Sequence, residues 1–231
     1  MAAASVPTIP RYRFKPRPHS SHLLVLEQFA ATGEGRQVLD IGCAGGYLSE
    51  ILAARGFAVT GVDMPGTPFP ESIHFVPADL DQGLPALEKR FDFIICADVL
   101  EHLRDPLRIL KQCRAQLAPG GALIASLPNS GNVYFRWNVL LGRFPQHDQG
   151  LFDRTHLRFY MRSGWEDLLK QAGFHIESMR VSGIPLGLAV PAWDGSPPVR
   201  AAEWMSYQMA CFWKTLFAYQ FVVRARVERE P

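Results

Sequence analysis

The chain has 231 residues, 48% of them apolar and 20% charged, with a formal net charge of +2 at neutral pH. This is the profile of an ordinary globular chain with room for one substantial core. It excludes a disordered or fibrous class and gives no basic footprint that would predict nucleic acid as a partner. The four cysteines, Cys43, Cys96, Cys113 and Cys211, are far apart and form no CxxC pair. A disulfide framework is therefore not expected, and a reducing, cytoplasmic setting is.

The N-terminus lacks the apolar run of a signal peptide. Residues 1–18 carry Arg11, Arg13, Lys15 and Arg17 among four prolines and are predicted to form an irregular basic arm. Residues 19–231 are predicted to form one domain. His22 to Ala31 has a helical pattern and leads to a first strand at 38–41. Leu48, Ile51 and Leu52 then mark the inner face of a helix that Gly56 ends. Strands are expected at Phe57–Val62, Ile73–Val76 and Phe91–Cys96; the last is continuously apolar, as a strand covered on both faces should be. Asp105 is suited to cap a helix that begins at Pro106. Pro119-Gly120-Gly121 turns the chain into a strand at Ala122–Leu127. Ser163 and Glu166 read as a capping box, Gly173 as that helix's stop, and Phe174–Val181 as another strand. Cap or insert segments are expected near 128–160 and 183–213. The apolar stretch from Trp204 to Val223 has the length of a membrane span. However, Gln208, Lys214 and Gln220 interrupt it, so a short helix followed by a strand from Leu216 to Val223 is expected. The alternation predicts an α/β fold: a doubly wound, mostly parallel, seven-stranded sheet of the Rossmann-like kind, with a final antiparallel strand.

The densest signal is Val38-Leu39-Asp40-Ile41-Gly42-Cys43-Ala44-Gly45-Gly46-Tyr47, an apolar strand ending in an acid, a small-residue turn and a helix. Asp63 closes the next strand. This is the pattern of a nucleoside cradle at the carboxyl edge of a parallel sheet. A dinucleotide fingerprint would need glycine at positions 42, 44 and 47, where this chain has Gly42, Ala44 and Tyr47. No Gly-Lys-Ser/Thr follows, so a phosphate loop is excluded as well.

With Gly61-Val62-Asp63, Ala78-Asp79-Leu80, Phe91 to His102 and Leu117 to Gly121 in order, the chain resembles the class I S-adenosylmethionine-dependent methyltransferases. The resemblance implies S-adenosyl-L-methionine as cofactor. Asp63 would hold the ribose diol and Asp79 the adenine amino group, with Leu80 packed nearby. Asp40 and the backbone of Gly42 and Ala97 would hold the methionine end, with Ala44 and Gly46 completing the loop. Ala44 departs from the common glycine, a small change if its φ is negative.

Two segments are candidates for the acceptor side that the resemblance implies. Asp98-Val99-Leu100-Glu101-His102 looks like the Glu-x-x-Glu-His pattern of quinone-biosynthesis O-methyltransferases, which implies a divalent ion. The same Glu-His also shapes a loop in metal-free relatives, and no metal is assigned here. Asp153-Arg154-Thr155-His156 offers His156 as a base with Asp153 as its orienter, and Glu101 and His102 complete the candidate catalytic set. Leu127-Pro128-Asn129, Leu141-Gly142-Arg143-Phe144 and the segment 153–159 resemble a subgroup associated with bacterial surface glycans. That likeness implies O-methylation of a glycan or other small-molecule hydroxyl. Asp79-Leu80-Asp81-Gln82-Gly83-Leu84, Pro128-Asn129 and Leu140 to Arg143 are also similar to methionine-biosynthesis W-type proteins. On that alternative the fold would be a non-catalytic partner of an acyltransferase. A membrane interface at Trp204, Tyr207, Phe212, Trp213 and Phe217 is a further alternative, weighed against a hydrophobic lid packed on the core. The oligomeric state is not readable.

Overall fold

The computed structural model describes residue 14 and residues 16–228. Arg11, Arg13 and Lys15 of the expected basic arm lie outside them. The elements are α1 (Ser21–Leu26), β1 (Gln37–Ile41), α2 (Tyr47–Ala54), β2 (Ala58–Asp63), β3 (His74–Pro77), β4 (Phe91–Ala97), α3 (Pro106–Gln116) and β5 (Leu117–Pro128). They continue with α4 (Val133–Leu140), α5 (Arg162–Gln171), β6 (Phe174–Val181), α6 (Leu186–Ala189), α7 (Pro197–Phe212), α8 (Lys214–Phe217) and β7 (Gln220–Val227). Seven strands form one sheet in the order β3-β2-β1-β4-β5-β7-β6. The pairs among β1 to β5 are parallel, and β7 runs antiparallel to both β5 and β6. The strand order reverses between β1 and β4, the switch point at which open α/β sheets open a crevice.

Period-2 alternation divides the core between the two faces of the sheet. Leu39, Ile41, Ile94, Cys96 and Leu123 belong to one cluster, together with Ile109 and Leu110 of α3 and Trp165 and Leu169 of α5. Val38, Phe93, Ile95 and Ile124 belong to the other, with Leu24 and Val25 of α1 and Leu48 and Leu52 of α2. Asp105 caps α3 as expected, its Oδ1 accepting Arg108 N–H at 3.0 Å with Pro106 at the first position. Cys43, Cys96 and Cys113 are buried free thiols.

Four local expectations are corrected. The first helix stops at Leu26 rather than Ala31, because Gln28 and Phe29 donate to Val25 and Leu26 in tighter, three-residue bonds. That turn swings Phe29 against Phe57 and Phe93 at 5.4 and 5.0 Å. Ser163 and Glu166 do not form a capping box. Met161 occupies the N-cap, and Glu166 is bound one turn back by Arg162 Nε at 2.7 Å. Residues 183–199, whose prolines and glycines read as a loop or cap, are partly helical: α6 lies within them and α7 begins at Pro197. Leu216 and Phe217 belong to α8, and the last strand begins only at Gln220. The amides of Asn129 and Asn132 hold that helical turn by donating to the carbonyls of Thr215, Phe217 and Ala218.

Candidate functional site

β1 delivers Asp40 to the carboxyl edge of the sheet, opposite Gly61 of β2 and Ile95 of β4. The carboxyl is buried, and Ser49 Oγ of α2 donates to it at 2.7 Å. Burial disfavours the charged form and raises its pKa to about 7; the Ser49 bond opposes this and the nearby Asp63 charge adds to it. The loop that follows is pinned at several points. Gly42 N and Cys43 N donate to Val62 O at 2.8 and 3.3 Å. Gly42 has φ +67°, and a Cβ there would stand 2.5 Å from Val99 Cγ2, so a side chain at this position would be strained and would have to displace Val99. Gly46, the N-cap of α2, has φ +77°.

Asp63 ends β2 and turns back onto this loop. Its Oδ2 accepts Ala44 N–H at 2.7 Å and its Oδ1 accepts Met64 N–H at 2.7 Å. Ala44 has φ +47°, so the condition under which alanine would be a small change does not hold: its Cβ sits in the left-handed region. Asp79 Oδ1 accepts Asp81 N–H at 2.9 Å, which fixes the turn after β3. Leu80 and Ala97 are buried, Leu80 in the core and Ala97 beside Ser126 of β5. Two carboxylates line this lip. The cations nearest in sequence are turned away: Arg36 Nε donates to Gly33 O at 3.1 Å and Arg55 Nη1 donates to Leu26 O at 3.0 Å. Such a lip suits a cationic sulfonium with a ribose and disfavours a phosphate.

Beside the lip, past the end of β4, lies a cavity of about 700 Å³. Asp98 stands between the two, with φ +54°. Its Oδ1 accepts from Ser126 Oγ and from Gln220 Nε2, the latter at 2.8 Å, and His22 Nε2 lies 3.8 Å from Oδ2. The lining of the cavity includes the aromatic Tyr134, Phe152 and Tyr219. Phe152 stacks on Phe135 at 4.4 Å. Burial pushes the Tyr219 phenol up to about 12.

The same lining gathers the predicted catalytic residues Glu101, His102, Asp153 and His156. His156 Nε2 is 3.9 Å from Glu101 Oε1, and the His156 and His102 rings meet edge to face at 4.7 Å. Leu157 and Arg158 donate their N–H groups to Glu101 O, which fastens the 153–159 segment to the turn after β4. Asp153 Oδ1 accepts Thr155 N–H at 2.8 Å and Thr155 Oγ1–H at 2.7 Å, while Thr155 Oγ1 lies 3.0 Å from His102 Nδ1. Burial, and then the neighbouring His102, lower the His156 pKa to about 4. Among the described residues, Glu101, His102 and His156 form a group whose donor atoms all lie within 4.8 Å of one another. The sequence suggested Asp98, Glu101 and His102 for such a role; His156 takes the place of Asp98. His22, Ser126, Tyr219 and Gln220 were not singled out from sequence. Tyr219 and Gln220 appear there within the terminal segment 216–221 that is likened to the glycan subgroup, and Gln220 as an interruption in an apolar run; no local pattern marks its proximity to Asp98.

A model of the methyltransferase domain matches residues 16–179, well over half of the chain. The chain is 35% identical over 171 residues to a ubiquinone biosynthesis O-methyltransferase of Coxiella burnetii, covering 64% of this chain and 71% of that one. Among solved structures, the fold is similar to an S-adenosylmethionine-dependent methyltransferase of Mesorhizobium loti. That likeness has a TM-score of 0.60 at 18% identity and covers 90% of this chain and 98% of that chain. It is also similar to the 1,6-didemethyltoxoflavin-N1-methyltransferase of Burkholderia thailandensis, solved with bound 1,6-didemethyltoxoflavin and S-adenosylhomocysteine. There the TM-score is 0.57 at 16% identity, covering 90% and 77% of the two chains. The sheet order, the glycine-bearing lip and these matches have one conclusion: the chain belongs to the methyltransferase-domain family and is an S-adenosylmethionine-dependent methyltransferase.

Proposed function

We propose that this enzyme methylates a hydroxyl oxygen on a small molecule with an apolar body. The observation that supports this reading is the cavity beside the lip, whose lining includes the aromatic Tyr134, Phe152 and Tyr219 as well as the polar Glu101, His102 and His156. An apolar body would pack against Tyr134, Phe152 and Tyr219 while its hydroxyl reaches the imidazoles. The name of the Coxiella burnetii relative points to oxygen as the methylated atom. A sugar hydroxyl, implied by the glycan-subgroup resemblance, belongs in the same acceptor panel. The acyltransferase-partner alternative gives way to the enzyme reading.

In this reading Asp63 accepts the ribose hydroxyls with the lone pairs that Ala44 N–H and Met64 N–H leave, and Asp79 receives the adenine amino group beside Leu80. Asp40, Gly42, Ala44, Gly46 and Ala97 form the seat for the methionine end. When bound, S-adenosylmethionine supplies an electrophilic methyl group and leaves as a thioether. The work of the protein is alignment of the acceptor oxygen and removal of its proton. His156 is neutral above about pH 4, so its ring holds a lone pair for that proton. Glu101, 3.9 Å away, stabilises the imidazolium that results. Asp153, through Thr155, fixes the turn that carries His156 and the ring of His102.

A second reading is favoured by the donor grouping. One carboxylate and two imidazoles within 4.8 Å of one another suit a divalent cation such as Zn²⁺ or Mn²⁺. Glu101, His102 and His156 would then hold the ion, and the ion would lower the pKa of the acceptor hydroxyl. Methyl transfer from labelled donor to a panel of catechols, other phenols and sugars, with and without chelator, tests both. Transfer to oxygen that survives chelation and is lost in His156→Ala supports the base; transfer abolished by chelation and restored by metal supports the ion. No transfer to any hydroxyl, with transfer to nitrogen or carbon acceptors, would remove the O-methylation proposal.

A further inference from the structure

Helices packed on a core bury their apolar stripe. Two helices here do the opposite. In α4 only Phe135 is buried; Trp137 and Leu140 are 59% and 76% exposed, with Val139, Leu141 and Phe144 exposed beside them. In α7 only Ala210 is buried, while Trp204, Met205, Met209 and Phe212 share the outward face, Phe212 at 88% exposure, with exposed Trp213 just past the helix end. The expected lid is thus only half correct. Tyr207 and Phe217 pack on the core, but Trp204, Phe212 and Trp213 do not. The amides of Asn129 and Asn132, bound to carbonyls of α8, tie the start of α4 to the end of α7, so the two faces belong to one rim. Tyr134 of α4 and Ile184, Pro185 and Leu186 ahead of α7 line the cavity, so that rim borders it.

We propose that this rim docks on an anionic lipid bilayer. Charge selects the occupant. No Asp or Glu occurs between Gly131 and His147 or between Trp204 and Val227, whereas Arg136, Arg143 and Arg200 are exposed on or beside these helices. The neighbouring acids are engaged by arginines: Asp194 and Glu203 by Arg17, and Asp148 by Arg154. A second copy on the same face, related by a two-fold axis, would bring this cationic surface against itself. An anionic headgroup layer complements the arginines, and its interface accommodates tryptophan and phenylalanine. Among the described residues no helix is long and apolar enough to cross a membrane, so the contact is peripheral. The proposal rests on this surface alone and is independent of the methyl acceptor.

The test is co-sedimentation of the full chain with vesicles of phosphatidylcholine alone and of phosphatidylcholine mixed with phosphatidylglycerol. Binding to the mixed vesicles is expected, weakened by salt and at least about tenfold weaker in Trp137→Ser/Phe212→Ser. Arg136→Gln/Arg143→Gln reads the same face without removing an apolar side chain, and it too should weaken binding. Unchanged affinity for S-adenosylhomocysteine in each variant shows that the fold and the lip are intact. Failure to bind either vesicle, or equal binding by wild type and both variants, would overturn the proposal. So would a dimer in light scattering that Trp137→Ser/Phe212→Ser converts to monomer.

Discussion

Asp63 Oδ2 accepts the backbone N–H of Ala44 at 2.7 Å, from the end of one parallel strand to the loop that leaves its neighbour. The contact gives Asp63 two tasks, anchoring the loop and, in the proposed function, binding the ribose. It also holds Ala44 at a positive φ that alanine resists.

Asp63→Ala should weaken S-adenosylhomocysteine binding by about 10–100-fold, the loss of one or two charge-assisted hydrogen bonds. Titration calorimetry measures it, and unchanged affinity would remove Asp63 from the ribose site. Ala44→Gly should relieve the left-handed strain and stabilise the fold by about 1 kcal/mol, seen as a higher urea midpoint at constant slope.

Asp40 has a folded pKa of about 7, raised chiefly by burial, against about 3.9 when unfolded. The native state therefore holds the extra proton between these values, and this group's contribution to stability falls as pH rises from about 4 to 7. Fully expressed above pH 7, the cost is up to about 4 kcal/mol. Asp40→Asn should lose that slope and be at least as stable as wild type at pH 8. Urea titrations across this range decide it; an unaltered slope in the variant would place the titration elsewhere.

His156 shows the opposite sign. Its folded pKa of about 4 lies below the unfolded value near 6.5, so the unfolded chain binds the extra proton between them. Stability is full above pH 6.5 and declines as pH falls toward 4, by about 2–3 kcal/mol. His156→Gln should flatten this acid limb. In the base reading it should also cut turnover by about 10²–10⁴-fold while leaving S-adenosylhomocysteine affinity intact. Full turnover in His156→Gln would exclude the base.

Trp165 is fully buried in α5, and its indole N–H donates to Pro128 O at 2.8 Å, at the end of β5. Trp165→Phe leaves that carbonyl without its donor and opens space beside the cavity. A loss of about 2–4 kcal/mol is expected from the unpaired carbonyl and the void together. Thermal and urea unfolding report it; a loss under 1 kcal/mol would mean that water replaces the indole.

Where a signal is carried by neighbours in sequence, it was legible. The apolar run Phe91 to Cys96 formed β4, and Asp105-Pro106 started α3. The capping box at Ser163 and Glu166 failed because Arg162, one turn back, competes for the same carboxylate. Leu216 and Phe217 look like strand residues, yet two asparagine amides more than 80 positions away bind the carbonyls of Thr215, Phe217 and Ala218 and hold this stretch in a helical turn. Helix propensity and β propensity carry no information about such a partner.

By itself the sequence determined the lip that is proposed to hold the cofactor. Asp40, Gly42, Gly46 and Asp63 lie on one strand–turn–helix unit and the next strand, and steric demands on a short segment are written in that segment. Glu101, His102, Asp153 and His156 were named from sequence as candidates, but tertiary structure alone decided how they and their neighbours meet around the cavity. Pairing of β7 between β5 and β6 brings Gln220 onto Asp98, 122 positions earlier, and the bonds from Leu157 and Arg158 to Glu101 O bring His156 beside Glu101 and His102. Those contacts arise only when remote backbone groups satisfy one another in a closed sheet, a condition that no local pattern of residues records.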